Sequence, residues 1–125
     1  MEKDVSKYFK DAVEKLKEAN EELYKPEEDV VSLLVCQKSQ HAIENYLKGY
    51  LLRNGIDPSP FESIESMYQE CLKLNKEFKK VDLTNFTCDY IDTDMAYCND
   101  FKEVSHCYEL ADGLDTLLRK EKIIA

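Results

Sequence analysis

The stretch VVSLLVCQKSQHAIENYLKGYLLRN, residues 30–54, is the most apolar run of its length in the chain and meets no Gly or Pro until Gly49. Its apolar residues do not fall on one stripe. Leu34 and Leu51 end a line spaced by alternating steps of three and four, and the middle of that line is Gln37, His41, Glu44 and Lys48. Val35, Ala42, Ile43, Tyr46, Leu47 and Tyr50 flank it on both sides. On a helix these positions cover most of the circumference, so the spacing predicts a central helix packed on several sides, with one polar seam along it.

Working outward from that helix, Val5, Phe9, Ala12, Leu16, Ala19 and Leu23 repeat at steps of four and three. This predicts a first helix from about Asp4 to Tyr24, lying lengthwise along a partner. Lys7, Lys10, Asp11, Glu14, Lys17, Glu18 and Glu21 give it a solvated, mixed-charge outer face. Lys25-Pro26 breaks it, and Pro26 with Glu27, Glu28 and Asp29 suits the positive end of the next helix. So short a connection implies an antiparallel helical hairpin.

Downstream, Asn54-Gly55 closes the central helix, and Ile56-Asp57-Pro58-Ser59-Pro60 reads as a rigid extended linker. A third helix is expected from about Phe61 to Phe78, with the charged residues 76–80 as its frayed end. Val81, Leu83, Phe86 and Tyr90 suggest a shorter helix, and residues 91–99 read as a loop. Asn99 or Asp100 would cap a last helix carrying Phe101, Val104, Tyr108, Ala111, Leu114 and Leu118. The expected fold class is all-α, an antiparallel up-and-down helical bundle of four long helices plus a short one, with residues 1–125 as a single domain.

Composition narrows the function classes. Three Gly and three Pro are too few for the turns of an all-β fold. The N-terminus MEKDVSKYFK is charged where a signal peptide needs an apolar core, and no run is long and apolar enough to span a membrane. Five cysteines, an odd count, point to reduced thiols. Together these features predict a cytoplasmic protein. The formal charge of −9, with Arg53 and Arg119 as the only arginines, disfavours a broad RNA or DNA surface and suits a basic or protein partner.

Three constellations could carry chemistry. The seam Gln37, Gln40, His41, Glu44 and Lys48 brings an imidazole, a carboxylate and an ammonium within two turns, enough for a ligand or partner groove or for acid–base work. The plainer alternative is an i,i+4 ion pair between Glu44 and Lys48, with Gln37 and His41 bonded to neighbouring helices. Cys88, Cys98, His106 and Cys107 lack the paired two-to-four-residue spacing of a zinc site, so no metal and no cofactor is expected, and buried thiols are the ordinary reading. The eight tyrosines, among them Tyr46, Tyr50, Tyr90 and Tyr97, suit either an interface or a core with bonded hydroxyls.

Gln40-His41-Ala42-Ile43-Glu44, then Tyr46-Leu47-Lys48-Gly49 and Tyr50-Leu51-Leu52, closed by Gly55, resembles the signature helix of HEPN domains (higher eukaryotes and prokaryotes nucleotide-binding). That helix typically reads Gln-Ala-x-Glu-x-x-Leu-Lys-Ala-x-Leu before a glycine. The resemblance is specific in this helix and loose in the first and last. It implies an antiparallel bundle that commonly forms a homodimer. Many members work beside a small nucleotidyltransferase in two-gene toxin–antitoxin systems, and some are metal-independent ribonucleases. The ribonucleases use an Arg followed after four to six residues by a His, and neither Arg53 nor Arg119 has one in that window. Another branch carries Tyr-x-x-x-Arg-Tyr before the last helix. Residues 90–95, YIDTDM, lie in that place and put Asp94 where the Arg would be. A carboxylate there reverses the charge offered to a phosphate. The resemblance thus implies a non-catalytic interaction module, with a protein partner such as a nucleotidyltransferase or a nucleotide bound at Gln37, Gln40, His41, Glu44, Lys48 and Asp94. A divergent metal-independent ribonuclease using His41 or His106 with Lys48 is the alternative.

Overall fold

A computed structural model describes residues 2–26, 32–61, 63–81, 83 and 101–124. It contains α1 (Glu2–Leu23), α2 (Ser32–Arg53), α3 (Ile64–Leu74), a 3-10 helix (Lys76–Lys80) and α4 (Phe101–Lys120), and the described residues include no strand. The all-α, up-and-down bundle expected from the sequence is the fold that forms.

The apolar spacing of α2 explains its central place. Val35, Cys36, Ala42, Ile43, Tyr46, Leu47, Tyr50 and Leu51 are all at most 6% exposed. With Gly49 they wrap about 200° of the helix at roughly 100° per residue. That arc is wide enough for α1, α3 and α4 to pack against it together, and all three do. α1 buries the predicted line of Phe9, Ala12, Leu16 and Ala19. Phe9 lies against Gly49, and Glu18 bonds Lys38, so residue numbers rise along α1 as they fall along α2. Tyr108 meets Asn20 while Asp115 meets Tyr46, which sets α4 antiparallel to α1 and parallel to α2.

The C-terminal ends of α2 and α4 close by the same hydrogen-bond pattern. Gly55, at φ 78°, donates to the Leu52 carbonyl, and Ile56 donates to the Leu51 carbonyl. Lys122, at φ 60°, donates to Arg119, and Ile123 donates to Leu118. Each left-handed residue turns the chain so that the two amides beyond the helix satisfy otherwise orphaned carbonyls. After Gly55 the linker forms a turn in which the Ser59 amide donates to Asp57 Oδ1 at 3.0 Å, and Pro58 is buried.

The third helix is shorter than its apolar pattern implied. It begins at Ile64 rather than Phe61, because Ser63 is extended and its Oγ accepts from the Ser66 amide, while Ser66 Oγ accepts from the Ser63 amide. It ends at Leu74 because Asn75 is extended and its side chain accepts from the Glu77 amide, starting the 3-10 helix. Residues 76–80 are therefore an ordered turn, not a frayed end, and Phe78 is buried in it beside Tyr50, with ring centres 4.8 Å apart. Val81 and Leu83 are buried too. Phe86, Tyr90 and the cap positions Asn99 and Asp100 lie outside the described residues. No helix among the described residues is long and apolar enough to cross a membrane.

Candidate functional site

Gln37, His41, Glu44 and Lys48 lie on the side of α2 away from its most buried residues, whereas Gln40 falls within the buried arc. Gln40 is 5% exposed. Gln37, His41, Glu44 and Lys48 are each half-buried, so the seam is sheltered along its length without being sealed. Gln40 and His41 both have interaction partners. The ion pair that the i,i+4 spacing suggested between Glu44 and Lys48 does not form. The paired cation of α2 is instead Lys38, whose Nζ lies 2.8 Å from Glu18 Oε2 of α1, with Lys15 3.5 Å from the same oxygen. The bond from Lys38 holds the Glu18 carboxyl below its ordinary range, and Glu18 in turn raises Lys38. Asp94, the sixth residue of the expected groove, lies outside the described residues, as do Cys88, Cys98, Tyr90 and Tyr97.

A second polar arrangement was not foreseen. The Tyr46 hydroxyl, reaching out from the buried face of α2, donates to Asp115 Oδ1 of α4 at 2.7 Å. The other oxygen of Asp115 accepts from Arg119 Nε at 2.8 Å, one helical turn further on. Two turns before Asp115, Tyr108 donates to Asn20 Oδ1 of α1 at 2.8 Å. Tyr108, Asp112, Asp115 and Arg119 follow one another at steps of four, three and four, which places them on one face of α4. Burial, and then the bond to Asp115, push the Tyr46 phenol far above its ordinary value. It serves as a donor and not as an acid or nucleophile. Asp112 is pushed up by partial desolvation and then by the charge of Asp115. The i,i+3,i+4 polar spacing of α4 was readable in the chain, but its partner Tyr46 stands in an otherwise apolar set and looks like core.

Of the thiol and imidazole set, His106 and Cys107 are the two members among the described residues. His106 is exposed and its neighbour Cys107 is buried, so the two point different ways. Cys71 is a free, buried thiol pushed up to about 12 by burial and then by Glu70, which leaves it inert. Cys36 corrects the expectation of reduced thiols throughout: it is disulfide-bonded, whereas Cys71 keeps a free thiol. Among the described residues no three His, Cys, Asp or Glu side chains come together as a metal site.

The arginines and histidines are also kept apart. Arg119 and His106 sit on the same helix thirteen residues apart, a separation of about 20 Å at the rise of an α-helix. Arg53 ends α2 twelve residues beyond His41, or about 18 Å along the axis. No single-chain pairing of guanidinium and imidazole follows from either helix.

No curated protein and no solved structure matches the chain. The family model of the HEPN domain matches residues 5–120, leaving out only the first four and last five of 125. Membership points to a nucleotide-binding or ribonuclease-like module. With the bundle, the central α2 and the match all in agreement, the chain belongs to the HEPN domain family.

Proposed function

We propose that this chain is a non-catalytic HEPN module that self-associates as a homodimer and works with a protein partner, of which a small nucleotidyltransferase is the type. The observation that carries the reading is the separation of its two arginines from its two histidines. Arg119 is bonded to Asp115 and lies about 20 Å along α4 from His106, and Arg53 has no imidazole within reach along α2. Ribonuclease chemistry of the family needs the two groups side by side, to position the 2′-hydroxyl and stabilise the phosphorane charge. A seam that is half-buried and polar suits recognition instead.

The deciding experiment incubates purified protein with structured and unstructured RNAs in the presence of a chelator. No cleavage is expected. Cleavage that disappears in His41→Ala would sink the reading and install the ribonuclease alternative, with His41 or His106 and Lys48 as its groups.

A nucleotide ligand at the seam is the second reading, favoured by the half-buried Lys48 on the same face of α2 as His41, two turns away. It requires a saturable thermal shift with ATP or a related nucleotide that is lost in Lys48→Ala. Absence of any shift at millimolar nucleotide removes it.

A further inference from the structure

We infer that the cleft between the first turns of α1 and the turn that follows α2 receives the lysine or arginine side chain of a partner protein's segment. This rests on the partner reading above and gives that partner its chemistry. The cleft has a volume of about 250 Å³, and its walls are Asp4, Lys7 and Tyr8 on one side and Leu52, Asp57, Pro58 and Ser59 on the other. That volume is small for a cofactor site, which runs from roughly 300 to 1,000 Å³, and suits one long side chain. Leu52, Pro58 and the ring of Tyr8 supply apolar surface for a methylene stem, the part of lysine and arginine that packs while the charged head stays wet.

The head group is selected by charge. The walls carry two carboxylates, Asp4 and Asp57 on opposite sides, against the one ammonium of Lys7, within a chain of net charge −9 that draws cations toward it. The Ser59 amide donates to Asp57 Oδ1, and this bond and then the Ser59 hydroxyl hold that carboxyl below its ordinary range, so it is ionised at neutral pH. Neither Asp4 nor Lys7 joins an ion pair among the described residues. A divalent cation fits poorly, because the cleft offers only two carboxylates and one of them is already bonded. A phosphate fits worse, since the carboxylates would repel it.

The test uses amide chemical shifts of the full chain, titrated with an N-acetylated, C-amidated alanine peptide bearing two lysines. Controls are its copy with both lysines acetylated, and putrescine. The lysine peptide is expected to shift the amides of Tyr8, Leu52 and Ser59 saturably, and the acetylated copy to leave them unmoved. Asp57→Asn keeps the oxygen that the Ser59 amide needs but removes the charge. It and Asp4→Asn should each weaken binding by up to about fivefold, the worth of an exposed ion pair, whereas Lys7→Ala should strengthen it. Binding at other residues, binding indifferent to Asp57→Asn, or weakening by Lys7→Ala would overturn the inference. Putrescine binding as tightly as the peptide would overturn the protein source. If the peptide fails while a nucleotidyltransferase encoded beside the chain still co-migrates with it, this cleft is wrong and the partner reading stands. If the peptide binds and no such protein co-migrates, the partner reading fails instead.

Discussion

At Gly49, the Phe9 ring of α1 packs closely against the backbone of α2. A Cβ built there would lie 2.7 Å from Cε1 and 2.9 Å from Cδ1 of Phe9, closer than any real contact. The family motif carries Ala at this position, and here the Phe9 ring fills the space that its methyl would need. Gly49→Ala is expected to destabilise the fold by about 1–3 kcal/mol, the usual cost of overpacking, as read from urea midpoints. In a Phe9→Leu background the same change should cost much less, because the smaller side chain yields. Equal costs in both backgrounds would mean that α2 itself, rather than the ring, resists the methyl.

Asp112 is a residue whose ionisation opposes folding. The residue is exposed, yet partial desolvation of its carboxyl and then the charge of Asp115 raise it above the ordinary 3.8, so between the two values the folded state holds more protons than the unfolded one. Stability contributed by this group therefore falls as pH rises from the ordinary value through the raised one, and the deficit persists at neutral pH. Asp112→Asn should raise the thermal midpoint at pH 7 and have no such effect well below pH 3.8. A midpoint unchanged at pH 7 would show that solvent screens the pair fully.

At the scale of elements, the sequence was most readable where one helix buries a broad face. The four-three spacing of α1 and the nearly continuous apolar set of α2 can satisfy themselves in few other ways, and Gly55 stops α2 where its φ of 78° favours a residue without Cβ. The ends of α3 were misread because apolar spacing alone extended them. Ser63 and Asn75 end the helix by bonding their side chains to nearby amides, a local competition that periodicity does not report. Ser63→Ala should therefore cost about 1 kcal/mol and speed amide exchange in the first turn of α3, leaving α1 unaffected. The candidate site was half legible. The seam follows from spacing within one helix, whereas Tyr46 and Asp115 are 69 residues apart and no local pattern pairs them. The same limit hid the choice of Lys38 over Lys48 as the paired cation, because Glu18 comes from another helix.

For the whole molecule, a net charge of −9 bears on the proposed homodimer. Two copies repel each other at long range, and salt shortens that range to about 10 Å at 0.1 M. Light scattering is expected to give twice the chain mass at moderate salt and a larger monomer fraction as salt is withdrawn. A single-chain mass at every ionic strength would end the dimer proposal while leaving the fold and family untouched.

The bond from Tyr46 to Asp115 also orders events in time. The α1–α2 pair closes over a short connection, so it can form early, while its phenol still faces water. Only when α4 docks does that hydroxyl find its carboxylate, and by then most apolar surface is covered. Loss of the bond in Tyr46→Phe should consequently appear as faster unfolding with refolding nearly unchanged. On that view α4 is the clasp that sets the lifetime of the native state.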